Sequence, residues 1–499
     1  MAESGWLSQA LLTVEDIYRA DAAAIAGGVP GIELMEAAGA GVAAEITRRW
    51  PAQSAAILTG PGNNGGDGFV VARLLAEAGW QVRLGLLGPV EALEGDAAAM
   101  AARWTGPVEA LEPALLEGCT LVVDAVFGAG LARDVGGLAA ETLRSVGERG
   151  LVCVAVDMPS GVSGDTGAVL GTAAPAALTV TFCRPKPGHL LQPGGALCGE
   201  TVVVDIGIAD DVVAKIAPRA AANHPDLWLA DYPWPQAGQH KYGRGHAVVV
   251  SGGPATTGAA RLAARGALRS GAGVVTVAGP PAALIVNASQ LTAVMTASFD
   301  GAEELARFLA DRRRNAVLLG PGNGVGKATR ENVLAALAGR AAVVLDADAL
   351  TTFAEHPEAL FAALREDVVL TPHGGEFARL FADLAGPHGG DKLAATRAAA
   401  ARSGAVVLHK GPDTVIAEPG GRAVINANAP PELATAGSGD VLAGLVLGFL
   451  AQGLPAFTAA CVATWLHGAA AAAFGPGLIA EDLERSLPAV LRNLQREEF

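Results

Sequence analysis

Cysteine and charge are both scarce in this chain, and each shortage removes a class of function. The five cysteines, Cys119, Cys153, Cys183, Cys198 and Cys461, are scattered and form no C-x-x-C pair. An odd, sparse set lying mostly inside apolar runs predicts reduced, buried thiols in a cytoplasmic protein, with a Cys183–Cys198 disulfide or metal pair disfavoured. Basic residues are outnumbered: 35 Lys and Arg against 50 Asp and Glu leave a formal charge of −15. That balance argues against nucleic acid, whose binding rests on neutralising many phosphates. It leaves room for a small phosphorylated ligand, which a few amides and one lysine can hold locally. The N-terminal stretch lacks the basic start and apolar run of a secretory signal and carries Glu3, Glu15 and Asp16 instead.

A membrane-length apolar run is missing as well. Mean hydropathy is +0.36, but the most apolar region, Val441 to Phe474, is interrupted by Gln452, Pro455 and His467. No run reaches the ~18 residues of a span, so buried helices and no membrane are expected. What the chain has is apolar mass. Hydrophobic residues make up 51% and charged residues 17%, the balance of well-buried α/β domains rather than disorder. Its 499 residues exceed what one core usually supports, so two or more domains are expected.

From Ala55 to Gly207 apolar strand candidates alternate with helical segments. The strands are Ala55–Thr59, Gln81–Leu87, Leu121–Phe127, Val152–Asp157, Leu178–Phe182 and Thr201–Ile206, and glycine or proline follows most of them. The alternation predicts a parallel sheet covered by helices. Ahead of it, Thr13 to Arg49 reads as helix broken at Gly27–Gly31. The stretch Asn223 to Gly243, rich in Pro, Trp, Tyr and His, has no period, and a domain boundary is expected between Ala209 and Asn223. A second α/β run follows, with strands at His246–Ser251, Val274–Ala278, Ala316–Leu319, Ala342–Asp346, Val368–Leu370 and Val406–His409. Helices are expected at Gly258–Ser270, Val441–Leu450 and Phe457–Phe474, then an amphipathic segment Glu481–Gln495. GPGN occurs at Gly60 and again at Gly320; the flanks do not match, which reads as convergence on one loop chemistry.

The loop GPGNNGGDG (Gly60 to Gly68) sits between a strand candidate and a helix candidate, the arrangement that offers bare N–H groups to a phosphate. Gly60, Gly62 and Gly65 meet the G-x-G-x-x-G spacing, and Asn63, Asn64 and Asp67 add polar side chains. The acidic residue that ordinary dinucleotide folds place at the end of the next strand is missing, since that strand ends Leu86–Leu87–Gly88. The loop therefore holds its ligand differently from a hydride-transfer enzyme. Asp124 leads into FGAGLARD and Asp157 into MPSGVSGDTG. Loops at the carboxyl ends of parallel strands converge, so these join the Gly60 loop. Asn64, Asp124 and Ser160 together offer oxygens to a hard cation; each aspartate alone reads equally well as a helix cap.

The second run carries GPGNG at Gly320, DADAL at Asp346, TPHGGE at Thr371, KGPDT at Lys410 and ATAGSGD ending at Asp440. In GSGD the glycines open a helix whose N-terminal amides can hold a transferring phosphoryl group, with Asp440 beside the attacking hydroxyl. An Asp N-cap is the plainer alternative. His373, after a strand and a proline, is read as a ligand contact, and His467, in an apolar helix, as structural. GVGKAT (Gly324 to Thr329) only looks like a phosphate loop. Ala328 stands where Ser or Thr must bind magnesium and Pro321 replaces the first glycine, so Lys327 is expected to cap a surface helix.

Carried on these motifs, the whole chain resembles the bifunctional NAD(P)H-hydrate repair enzymes, an epimerase fused to an ADP-dependent dehydratase of the ribokinase-like superfamily. GPGNNGGDG, DAVFGAG and VDMPSG look like the epimerase motifs; TGAA, GPGNG, DADAL, TPHGGE, KGPDT and ATAGSGD look like those of the dehydratase. The resemblance implies a Rossmann-like three-layer parallel-sheet domain over residues 1–215 and a ribokinase-like α/β domain over 225–499. It implies hydrates of NADH and NADPH as substrates, ADP with Mg2+ as phosphoryl donor, potassium at Asn64, Asp124 and Ser160, and a homo-oligomer. Hydrate contacts in the first domain would be Asn63, Asn64, Gly65, Gly66 and Asp67, then Gly128, Ala129, Gly130, Leu131, Ala132, Arg133 and Asp134, and the catalytic Asp157. In the second they would be Ala259, Gly322, Gly324, His373 and the catalytic base Asp440. Lys410, Gly411, Pro412, Asp413, Thr414 and Gly439 would hold the nucleotide.

Two other readings remain. A ribokinase-like kinase of a vitamin-precursor alcohol would share the closing glycine–aspartate loop but leave the NNGGD domain unexplained. A dimerising, non-catalytic scaffold would account for the first half; the acidic charge and the Asn64, Asp124, Asp157 and Ser160 set count against it.

Overall fold

In this computed structural model, which describes residues 3–386 and 390–497, Ala10–Ala220 form one unit. The residues from Ala221 onward, together with the segment up to Gln9, form the other. The first nine residues, expected with the first domain, thus belong to the second unit. Local bonds explain it: Gln9 Nε2 donates to Asp226 Oδ2 at 3.0 Å, the Ala222 N–H donates to Gln9 O at 2.8 Å, and the Arg422 guanidinium lies 5.6 Å from the Trp6 ring.

In the first unit helices α1 (Val14–Ala26) and α2 (Gly31–Arg49) precede the sheet. Thr13 caps α1 by accepting from the Asp16 N–H at 3.1 Å, while Asp16 reaches back to the Thr13 N–H in a capping box. Strand β1 (Ser54–Thr59) runs into α3 (Asn63–Glu77). Strands β2 (Gln81–Leu86), β3 (Val108–Ala110) and β4 (Leu121–Ala125) follow, then α4 (Gly137–Glu148), β5 (Val152–Val156), β6 (Leu178–Phe182) and β7 (Glu200–Val204). They pair in the order β3-β2-β1-β4-β5-β6-β7, in parallel throughout. The central runs LVVDA and LTVTF are buried at every position, as parallel strands covered on both faces must be. The order reverses between β1 and β4, which places a ligand crevice beyond their carboxyl ends.

The second unit repeats the logic. Strand β8 (His246–Val250) leads into α5 (Thr257–Arg269), and β9 (Val274–Gly279), β10 (Met295–Ser298), β11 (Ala316–Leu319), β12 (Ala342–Leu345) and β13 (Val368–Leu370) follow. After α6 (Gly374–Leu380) come β14 (Val406–His409), β15 (Thr414–Ala417) and β16 (Ala423–Asn426). These lie in the order β16-β15-β14-β13-β12-β11-β8-β9-β10, and only the β14–β15 and β15–β16 pairs are antiparallel. The switch point falls between β8 and β11. Three helices close the unit, α7 (Ser438–Ala451), α8 (Ala456–Phe474) and α9 (Ala480–Glu497). Small residues let α5 and α7 touch: a Cβ on Gly444 would lie 2.1 Å from Ala263 O. Helix α8 is long and apolar enough to cross a membrane by length and composition, yet most of it is packed inside the unit. All five cysteines are free and buried.

Candidate functional site

At the first switch point a cleft of about 650 Å³ opens beyond β1 and β4. Its walls are the loop after β1, the segment after β4 as far as Arg133, Asp157, and a face of α1 carrying Val14, Tyr18, Asp21 and Ile25. Of the Gly60 loop, Asn63, Asn64 and Asp67 face the cleft. Gly65 and Gly66 do not: a Cβ on Gly65 would sit 1.8 Å from Gly60 O, and one on Gly66 would sit 2.5 Å from the Met35 sulfur. Those two glycines allow the turn and the helix packing. Asp134 also lies off the wall, whereas Gly128 to Arg133 are on it.

Asp157 is the best-anchored side chain in the cleft. It follows β5 with φ +65°, a conformation an aspartate adopts only where its surroundings hold it. Its Oδ1 accepts from Lys186 Nζ at 2.6 Å and Thr181 Oγ1 at 3.0 Å, and its Oδ2 from the Ala129 N–H at 2.8 Å. Burial alone would raise this carboxyl; the Lys186 ammonium and the N–H donors outweigh it and hold it at about 2. His189 staples the pair. Its Nε2 lies 2.8 Å from Asp157 O and its Nδ1 accepts from the Lys186 N–H at 2.9 Å, and burial pushes its imidazole down to about 4. Asp67 is the opposite case: burial first, then the charges of Asp157 and Asp21, raise it well above the usual carboxylate range.

The predicted cation ligands are partly assembled. Ser160 donates its hydroxyl to Asp124 Oδ1 at 2.5 Å and its N–H to Oδ2 at 2.8 Å, so Asp124 and Ser160 form one buried unit. The Phe127 N–H donates to Ser160 Oγ at 2.8 Å, carrying that unit to the loop beside Asn64. The Asn64 carboxamide has its Val156 O and Gly128 N–H neighbours at 3.1 and 3.3 Å. With its nitrogen toward Val156 O and its oxygen toward the Gly128 N–H both bonds form. A carboxylate, a hydroxyl and an amide oxygen are the donor set of a hard cation. Among the described residues no three His, Cys, Asp or Glu side chains are grouped to hold a metal.

In the second unit the strand-end loops are tied together. Thr256 Oγ1 donates to Gly322 O at 2.7 Å, and Asn323 Nδ2 to Val250 O at 2.9 Å. The Gly324 N–H donates to Asp348 Oδ2 at 2.8 Å, so that amide is already engaged, while Ala259 lies in the first turn of α5. His373 caps α6, its Nδ1 accepting from the Gly375 N–H at 3.0 Å; its side chain is 55% exposed, and its Nε2 lies 3.4 Å from Glu376 Oε1. Beside it the Lys410 N–H donates to Pro372 O at 2.8 Å, and Lys410 Nζ reaches Asp346 Oδ1 at 2.7 Å. Thr414 Oγ1 donates to Gly411 O at 2.8 Å, and Asp413 takes Lys392 Nζ at 2.6 Å. Gly437, with φ +86°, starts α7; a Cβ on Gly439 would meet Lys410 Nζ at 3.6 Å. Burial, then the charge of Asp346, raises Asp440 to about 6, against the pull of Lys410.

Lys327 is exposed at the start of a surface helix, Lys327–Leu337, whose cap is Gly326. His467 Nε2 lies 3.0 Å from Ser438 O, so it braces the first turn of α7. Sequence reasoning missed Lys186, Thr181, His189 and the α1 face in the first site, and Thr256 and Lys392 in the second, and it left Asp346 in a motif without a role. The α1 face had a signal, since positions 14, 18, 21 and 25 keep helical spacing. Lys186 had none, because a lysine in a loop carries no period.

Residues 31–188 match the family model described as YjeF-related protein N-terminus, and residues 247–487 match the model described as NAD(P)H-hydrate dehydratase. A bifunctional NAD(P)H-hydrate repair enzyme of Moorella thermoacetica is 38% identical, with 94% of each chain covered. One from Salinibacter ruber is 37% identical over 93% of this chain and 92% of its own. A crystal structure of an ADP/ATP-dependent NAD(P)H-hydrate dehydratase from Bacillus subtilis, co-crystallized with ATP and Mg2+, is 28% identical. It covers 52% of this chain and 94% of its own, with a TM-score of 0.45.

Proposed function

The chain belongs to the bifunctional NAD(P)H-hydrate repair enzymes, and from that premise we propose which residues perform each half of the repair. The epimerase half interconverts the two C6 epimers of the hydrated nicotinamide ring, and the dehydratase half returns the hydrate to NAD(P)H using ADP or ATP.

In the first cleft the C6 hydroxyl leaves as the ring nitrogen's lone pair forms an iminium cation, and water returns on the other face. At neutral pH a carboxyl held at about 2 is ionised and has no proton to give. Asp157 therefore acts first as the anion facing that cation, and then as the acceptor that orients the returning water. Asp67, kept well above the usual carboxylate range on the same cleft, supplies the proton to the departing hydroxyl, and the proton that the returning water sheds goes to solvent, from which Asp67 is recharged. Two carboxyls pushed apart by their surroundings make such a division of labour. Asn64, Asp124 and Ser160 would hold potassium, which would supply positive charge close to the reacting ring. Ser160→Ala is expected to abolish stimulation of epimerisation by potassium chloride over sodium chloride; equal stimulation in the variant would remove Ser160 from the cation site.

In the second site the terminal phosphoryl group passes to the C6 hydroxyl while Asp440 takes the hydroxyl proton. With ADP the leaving group is AMP. Phosphate then departs from C6 and a proton from C5, restoring the dihydropyridine ring. Amides at the N-terminus of α7 and the Lys410 ammonium stabilise the charge on the phosphoryl oxygens, and Gly411 to Thr414 cradle the nucleotide. Magnesium would arrive on the nucleotide, with phosphate oxygens among its ligands. The reading rests on one observation: Asp440, raised to about 6, shares the helix terminus with a lysine. The test supplies each epimer separately with ADP or ATP and follows absorbance at the NADH band. One epimer should be consumed at once and the other only after epimerisation. A stable phosphorylated product without NADH would instead mark a kinase.

A further inference from the structure

At the second site one ion pair, Asp346 with Lys410, joins the first residues of two motifs, DADAL and KGPDT. We propose that Asp346 is the positioning residue of that site: its carboxylate holds the Lys410 ammonium away from Asp440 and aims it at the phosphoryl group being transferred. The proposal rests on the dehydratase reading above.

Asp346 is immobilised on every side. It follows β12, its N–H donates to Leu319 O at 3.2 Å, and its carbonyl lies where a Cβ on Gly320 would approach to 1.7 Å. Its side chain is 2% exposed, and Oδ1 takes Lys410 Nζ at 2.7 Å. Lys410 is tethered at its own end by the Pro372 bond. Its ammonium has three protons, and the bond to Asp346 uses one of them. The other side of the ammonium faces Gly439 at the opening of α7, where a phosphoryl oxygen is expected.

Lys410 also attracts Asp440, so the ammonium has two anions to choose between. Paired with Asp440 it would occupy the base and leave the phosphoryl group without its cation. Paired with Asp346 it serves the phosphoryl group, and Asp440 stays basic among like charges. The charged groups around Asp440 are Asp346, Asp348 and Lys410; Glu376 acts on Lys410, and His467, lowered to about 4, touches the same turn. A buried ion pair adds little to stability over an apolar pair, so its placement here speaks for geometry.

Asp346→Asn keeps size and an acceptor and removes the charge. In the full chain, with hydrate and ADP, turnover should fall roughly 10²-fold, as expected for misplaced catalytic groups, with KM for the hydrate unchanged. The acidic limb of the kcat/KM profile should move down by about one unit, because Asp440 loses a like charge and gains the ammonium. Asp346→Glu, which restores the charge at a different reach, should show intermediate turnover with the limb unmoved. Wild-type turnover and limb in Asp346→Asn would overturn the proposal, as would equal loss in both variants with neither limb displaced. Should Asp346→Asn not fold, wild-type turnover in Asp346→Glu would overturn it too. If the wild-type chain itself restored no NADH, the dehydratase reading would fail. The positioning claim would still be read from a carbon-13 titration of the Asp440 carboxyl, expected to shift down in Asp346→Asn.

Discussion

Replacing Asp440 by Asn is expected to lower nucleotide-dependent recovery of NADH absorbance by ~10²–10⁴-fold, the usual contribution of a general base. Interconversion of the epimers should continue, since the first site lies wholly within Ala10–Ala220. The residual rate should also lose its acid sensitivity. Asp440 must be unprotonated to accept the hydroxyl proton, and burial, with the charge of Asp346 behind it, raises it to about 6. Wild-type kcat/KM should therefore climb as pH rises through about 6 and level above it, while the variant stays flat. Stability should move the other way. A folded-state pKa above the unfolded one means the ionised group opposes folding at neutral pH, so Asp440→Asn should melt no lower than the wild type at pH 8. A variant that lost activity together with stability would point to a cap on α7 rather than a base. Strain kept at a working residue is a common cost of function.

Much of this arrangement was legible in the residues, for a definite reason. Buried parallel strands must be continuous apolar runs, and Leu121–Ala125, Leu178–Phe182, Ala316–Leu319 and Val406–His409 could be read directly. Short edge strands bury little and carry no such mark: Val108–Ala110 and Met295–Ser298 are exposed or half-buried throughout. Thr414–Ala417 and Ala423–Asn426 were hidden for another reason, since the first begins inside a motif read as a nucleotide loop. The same division holds at the sites. Glycine loops announce themselves because backbone must come close to backbone, as Gly65 does to Gly60. Gly65 and Gly66 were read as ligand contacts because a motif does not separate residues that touch a ligand from those that let the loop turn. Asp157 was visible at a strand end, but Lys186, Thr181 and His189, which surround it, come from sequence 24 to 32 residues later. Only the fold brings them together.

Lys186→Met should show what that assembly is worth. The Lys186 side chain is 2% exposed and that of Asp157 16%, so deleting the ammonium strands a buried carboxylate. Breaking a buried pair from one side costs about 3–5 kcal/mol. The two units preclude a single unfolding free energy, so the loss is best read locally. Amide protection in β5 and β6 should fall by roughly two to three powers of ten, at about 1.4 kcal/mol per tenfold, with β11 and β12 unaffected. The pH dependence is the sharper readout. In the wild type Asp157 is held at about 2, below the ~3.9 of an unfolded chain. Its stabilisation is therefore present above pH ~4 and lost as pH falls towards 2. Without Lys186 only burial and the backbone and Thr181 donors remain, and the carboxyl should rise above its unfolded value. The variant would then gain more stability on acidification from neutral pH than the wild type, because Asp157 would add to the contribution that the raised Asp67 already makes in that direction. Adding Asp157→Asn to Lys186→Met removes the stranded charge and should recover most of the loss, a coupling two independent sites would not show. Unchanged protection in Lys186→Met, or a pH dependence identical to that of the wild type, would mean that the pair does not set the charge of Asp157. The division of roles between Asp157 and Asp67 would then lose its footing.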